Sequence, residues 1–69
     1  MSFENERRRR INTIMELIEK SGRQGIVPQL LYQRIASEVT KERLFIYLEE
    51  LQWAGLIIKG RDGKCRLPK

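Results

Sequence analysis

A leucine repeat in the second half of the chain constrains the fold most strongly. Leu44, Leu48 and Leu51 recur at the spacing i, i+4 and i+7, which places them on one side of an α-helix. Thr40 is a favourable N-cap residue before the repeat, and Gly55 is a favourable stop after it. The pattern therefore predicts an amphipathic helix that buries its leucine side.

Two further helices and a β-hairpin are predicted around this helix. Ser2 is a favourable N-cap for the first helix, in which Ile14 and Ile18 belong to one apolar stripe. Pro28 suits the first turn of the second helix, where its missing N–H costs nothing. The segments LIIK and KCRL are predicted strands, joined by a turn that contains Asp-Gly. The predicted elements are helices over residues 3–21, 28–37 and 40–54, a very short strand at 26–27, and a hairpin over 56–67.

The chain is one small domain, over residues 1–69, and it has few means of stabilisation other than its core. It contains one cysteine, so no intrachain disulfide can form, and it contains no histidine. We therefore expect no metal site, no cofactor, no small-molecule substrate and no enzymatic activity. Lys64 and Arg66 are the neighbours of Cys65 in the chain and could lower the pKa of its thiol. Alternation along the strand, however, favours Cys65 as a small apolar residue on the inner side of the strand.

The location of the protein is also predicted from what the sequence lacks. No apolar run approaches the roughly 20 residues that a membrane-spanning helix needs. The first twelve residues, MSFENERRRRIN, lack the apolar segment of a signal peptide. Together with a free thiol, this predicts a cytoplasmic protein without a membrane partner.

The basic residues are concentrated at the two ends of the chain, and the formal net charge is +5. Residues 56–69 contain five basic residues against one acidic residue, and residues 1–25 contain six against four. Residues 26–55, which include the leucine repeat, contain three against four. A polyanion is therefore expected to be attracted to the ends of the chain first.

The segment LEELQWAGLIIKGRDGKCRL resembles the end of the recognition helix and the wing of winged helix-turn-helix proteins, and IASEV resembles the end of their second helix. The resemblance covers nearly the whole chain. It implies a mainly α fold with a small β-hairpin (α+β) and a small transcriptional regulator that binds double-stranded DNA. The chain departs from the family between the second and third helices, where SEVT is about two residues shorter than usual and lacks glycine.

The predicted DNA contacts combine the basic ends with the start of the third helix. In winged-helix proteins the start and outer side of that helix contact bases, while basic side chains contact phosphates. The basic run in residues 1–10 has two interpretations: an arm that contacts phosphates, or solvated turns of the first helix. The predicted DNA-binding residues are Thr40, Lys41, Arg43, Lys59, Arg61, Lys64 and Arg66, together with Arg7, Arg8, Arg9 and Arg10.

The outer side of the third helix is unusual for a DNA-reading surface. On a helical wheel Trp53 and Ile46 lie roughly 180° and 200° from Leu44, and glutamates flank them. Three interpretations remain open: Trp53 packs under the wing or on the first helix, the surface reads bases directly, or it binds a protein. In the third case Phe45, Ile46 and Trp53 form the interface, most simply in a two-fold homodimer.

Overall fold

The computed structural model describes residues 3–68, and it describes side chains from residue 5 onward. The predicted cap residue Ser2 lies outside this range. The chain is mainly helical, with one antiparallel two-stranded hairpin, as the α+β prediction states. The elements are α1 (Phe3–Lys20), a 3₁₀ turn (Gly22–Gln24), α2 (Pro28–Ile35), α3 (Lys41–Trp53), β1 (Ile58–Lys59) and β2 (Cys65–Arg66).

The core collects apolar side chains from all three helices and from the hairpin. The leucine side of α3 is buried, as the repeat predicts, and Tyr47 joins it. Each aliphatic side chain buried in this way contributes on the order of 1.5–3 kcal/mol to stability. The buried residues are Ile14, Ile18, Leu31, Ile35, Val39, Leu44, Tyr47, Leu48, Leu51, Ile57 and Cys65.

The hairpin is attached to the loop that follows α1. Ile26 and Cys65 exchange two backbone hydrogen bonds, of 2.9 and 2.8 Å, so the predicted strand at 26–27 exists as a single bridge. Gly25 precedes this bridge with φ 78° and ψ −179°, a conformation that is essentially restricted to glycine. A Cβ at this position would lie 2.8 Å from the carbonyl oxygen of Cys65. Glycine is therefore required where the hairpin meets this loop.

The turn between α2 and α3 closes without glycine. α2 ends at Ile35, two residues earlier than predicted, because the next residues form turns. The Ile35 carbonyl accepts from the N–H groups of Glu38 and Val39 at 2.9 and 3.1 Å, and the Val39 side chain enters the core. Among the described residues only glycines have positive φ, so nothing in this short turn requires one.

The hairpin is shorter than predicted, and its turn is tightly organised. Ile58 pairs with Arg66 and Lys59 with Cys65. The Gly63 N–H donates to the Gly60 carbonyl at 3.0 Å, and Gly63 has φ 80°, which gives a three-residue loop that ends on a left-handed glycine. The Asp-Gly pair thus forms the turn, as predicted, with positive φ at its glycine alone.

Candidate nucleic-acid interface

The start of α3 presents two exposed cations beside a capped helix end. The Thr40 hydroxyl accepts a hydrogen bond from the Arg43 N–H at 3.2 Å, which confirms the predicted N-cap. Lys41 and Arg43 are exposed, and neither forms an ion pair with a side chain of residues 5–68. The helix N-terminus adds a partial positive charge at the same place. Glu42 lies between the two cations in the first turn, so this end of α3 keeps only a modest positive charge, and Glu49 and Glu50 follow further along the helix.

The hairpin presents a second group of cations. Lys59 and Arg61 are exposed and Lys64 is half-buried; none of the three forms an ion pair with another described residue. Arg66 differs, because its guanidinium contacts the Asp62 carboxylate at 3.0 Å and donates to the Gln24 carbonyl at 3.2 Å. Arg66 therefore holds the hairpin turn against the loop after α1, whereas the other three cations form no ion pair with a described residue.

Asp62 organises the same turn. Its carboxylate accepts from the Lys64 N–H at 3.0 Å as well as from Arg66. The backbone hydrogen bond from Lys64 is the main cause that lowers the pKa of Asp62 below its ordinary value, and the Arg66 guanidinium adds to it. Asp62 is thus ionised at neutral pH and forms its ion pair with Arg66, while the charge of Lys64 also acts on it.

The four consecutive arginines of α1, residues 7–10, differ in their partners. Arg7 forms an ion pair with Glu50 of α3, and Arg10 lies 3.6 Å from Glu6 one turn earlier on α1. Arg8 and Arg9 are exposed. Exposed ion pairs of this kind contribute roughly 0–1 kcal/mol each, so they leave the run available to a stronger ligand.

The outer face of α3 carries the most exposed apolar side chain in the described chain. Trp53 is 88% exposed, while Phe45 and Ile46 are 43% and 44% exposed. The interpretation in which Trp53 packs under the hairpin or on α1 is therefore wrong. Leu51 is the last residue of α3 whose side chain faces the core. Trp53 follows two residues later, about 200° further round the helix, so its side chain points to solvent.

The three apolar residues lie beside two different clefts. The α3–hairpin cleft, of about 400 Å³, separates the outer side of α3 from β1, β2 and the start of α2. Ile46 instead borders a cleft of about 270 Å³ between α3 and the arginines of α1. The α3–hairpin cleft is lined by Pro28, Phe45, Leu48, Glu49, Gln52, Trp53, Lys59 and Cys65.

Pro28 and Gln52 belong to this cleft but were not among the predicted site residues. A signal for Gln52 exists in the sequence, because Phe45, Glu49 and Gln52 have the spacing i, i+4 and i+7 and so share one side of α3. No comparable signal exists for Pro28, whose position depends on how α2 packs. Lys59 reaches the cleft only because the hairpin folds beside α3.

Cys65 occupies the inner side of β2, as strand alternation predicts, and its side chain is fully buried. Burial raises the pKa of its thiol above the ordinary value, although Lys59 and Arg66 act in the opposite direction. The idea that neighbouring cations make this thiol acidic is therefore wrong, because desolvation outweighs their charge. Cys65 acts as a small core residue.

No protein family, curated protein or solved structure matches this chain. Within residues 3–68, no helix combines the length and apolar character needed to cross a membrane. The function is therefore inferred from the chain's own side chains and their arrangement.

Proposed function

We propose that this protein is a small winged-helix regulator that binds double-stranded DNA through its hairpin, the wing, and through the start of α3. The observation that supports this most strongly is the set of hairpin cations that form no ion pair with a described residue. Lys59, Arg61 and Lys64 have no carboxylate partner among the described residues, whereas Arg66 in the same strand pair does. Cations held on a rigid turn without internal partners suit the phosphate backbone.

The position of the hairpin relative to α3 supports the same proposal. Lys59 borders the cleft that Phe45 and Trp53 line, so the hairpin and the outer side of α3 flank one surface. Lys41 and Arg43 extend the positive charge to the N-terminus of α3, where backbone N–H groups also favour phosphate. The middle of α3 carries Glu49, which disfavours insertion of this face into a groove lined by phosphates.

The direct test removes two hairpin cations and measures the salt dependence of duplex binding. Arg61→Ala combined with Lys64→Ala should weaken binding to unrelated duplexes about equally. It should also reduce the slope of log K against log salt by about 2, since each phosphate contact contributes roughly 0.9. The matched control is Lys20→Ala combined with Arg34→Ala, which removes the same charge from exposed positions outside the hairpin and α3. An equal loss in both variants would show that net charge, rather than the hairpin, governs binding.

A second candidate function is protein binding through Phe45, Ile46 and Trp53. The observation that favours it is the 88% exposure of Trp53, since aromatic residues rimmed by charge are typical centres of protein interfaces. A two-fold homodimer is its simplest form. Measurement of the mass in solution over a range of concentrations tests it. Association that Ile46→Ala and Trp53→Ala both abolish would support this function, and a chain that stays monomeric and captures no partner would exclude it.

A further inference from the structure

The α3–hairpin cleft combines aromatic rings with a cation. Phosphate binding alone would use only the cation, and a homodimer through α3 would use only the rings. Phe45 and Trp53 supply two exposed aromatic rings, and Lys59 borders them on the hairpin. We propose that this cleft binds one unpaired base of a single-stranded nucleic acid, with the base stacked on Trp53 and its phosphate beside Lys59. The inference rests on the proposed function, because it extends the same hairpin surface from duplex to single-stranded nucleic acid.

The aromatic rings support a base rather than an aliphatic ligand. Proteins that bind single strands combine a cationic groove with aromatic rings on which bases stack, and each such ring raises affinity about tenfold or more. Trp53 is exposed over most of its surface, so one face of the indole is open to a flat partner. A base inside a duplex is already stacked on both faces and cannot reach a side chain in this way.

The polar side chains of the cleft support the same ligand. Gln52 lies on the same side of α3 as Phe45 and can both donate to and accept from a base edge. The Glu49 carboxylate accepts only, which suits the exocyclic amine of a base and opposes a phosphate. The phosphate is thereby directed to Lys59, on the opposite wall of the cleft.

The size of the cleft and its surroundings distinguish this ligand from a protein partner. A volume of about 400 Å³ lies at the lower end of the range for small-ligand sites, enough for one nucleotide. Lys59, on the hairpin wall of the cleft, forms no ion pair with another described residue, which suits a phosphate. Docking of a protein on the outer face of α3 needs Ile46, which lies beside the other cleft.

The test uses Trp53 itself, the single tryptophan of the chain, as the probe. Its fluorescence is recorded while the full chain is titrated with a short single-stranded oligonucleotide, an abasic oligonucleotide of the same length, and the matching duplex. The single strand should quench the fluorescence, and the abasic strand and the duplex should quench it far less. Phe45→Ala should weaken binding of the single strand about tenfold, while the matched control Ile46→Ala should leave it unchanged.

Three results would overturn the inference. The first is equal quenching by the abasic strand, which would show that the backbone alone binds. The second is a larger effect of Ile46→Ala than of Phe45→Ala. The third is burial of Trp53 that increases with protein concentration in the absence of nucleic acid, which would show that the indole packs against a second copy of the chain.

Separate measurements of single-strand binding and duplex binding distinguish a failure of this inference from a failure of the proposed function. Trp53→Ala should lose binding of the single strand about tenfold but keep the affinity for duplex DNA and its salt slope, measured by anisotropy of labelled DNA. Retained single-strand binding in this variant would contradict the base site alone. Loss of duplex binding in Arg61→Ala/Lys64→Ala to no greater extent than in its control would contradict the proposed duplex function.

Discussion

The hairpin and the outer face of α3 flank one surface but differ in almost every property. The hairpin consists of two-residue strands, yet it carries Lys59, Arg61 and Lys64, which form no ion pair with a described residue. The face of α3 is a regular helix that presents aromatic and acidic side chains, with Trp53 88% exposed and Glu49 beside it. A helix is the element that usually enters a DNA groove, but the outer face of α3 is acidic and aromatic. We therefore propose separate tasks, in which the hairpin binds phosphates and the face of α3 does not.

The largest expected effect separates the inner side of α3 from its outer face. Leu44→Ala removes a fully buried side chain and should cost about 2–5 kcal/mol in the free energy of unfolding. Trp53→Ala removes a larger side chain but should change stability by no more than about 0.5 kcal/mol, because the indole is exposed. Urea unfolding followed by circular dichroism measures both. A cost above about 2 kcal/mol for Trp53→Ala in a monomeric sample would mean that the indole packs against the chain after all.

The next effect concerns the attachment of the hairpin. Gly25→Ala should destabilise the protein by about 1–3 kcal/mol, because alanine is strained at φ 78° and ψ −179° and its Cβ would lie 2.8 Å from the Cys65 carbonyl oxygen. Gly22→Ala is the control: it also has positive φ, at 66°, but its Cβ would meet open space. Thermal unfolding of the two variants should rank Gly25→Ala as the less stable. An equal cost would mean that the contact with the hairpin adds nothing to the backbone strain.

The smallest expected effect is a pH dependence at the hairpin turn. The pKa of Asp62 is lowered in the folded chain, so the ionised carboxylate stabilises the fold at pH values above its ordinary pKa of 3.8. This stabilisation is lost as the pH falls through the pKa of Asp62 in the folded chain. The amide resonance of Lys64, which donates to Asp62, should therefore shift with a midpoint below 3.8, while amides of α2, which contains no carboxylate, should shift far less. Asp62→Asn should remove the shift. A midpoint above 3.8 would contradict the hydrogen bond and ion pair described for this turn.

Local patterns predicted most of the fold. Periodicity identified the buried side of α3, Thr40 identified its start, and Asp62-Gly63 identified the hairpin turn, because each of these signals depends on residues close together in the chain. The end of α2 was predicted two residues too far, since Ala36 continues the apolar pattern although the backbone already turns. The resemblance to winged-helix proteins remains a prediction.

The candidate site was harder to predict, because it depends on contacts between distant residues. The DNA-binding role of the basic residues stays a prediction. Their ion pairs, Arg7 with Glu50 and Arg66 with Asp62, follow only from the packing of α1 and the shape of the turn. The exposure of Trp53 excludes one of the three interpretations and is compatible with the other two. A helical wheel gives the direction of a side chain, but it does not show whether a neighbouring element covers it.

The most direct test of the separate tasks is a map of backbone amide shifts when unlabelled duplex DNA is added to the ¹⁵N-labelled protein. The division proposed here predicts the largest shifts over residues 59–64 and at Lys41 and Arg43, with small shifts at Glu49 and Trp53 in the middle and end of α3. The shifts of the hairpin should also decrease as salt is raised. Shifts centred on Ile46 and Glu49, with an unperturbed hairpin, would contradict it and assign DNA contact to the outer face of α3.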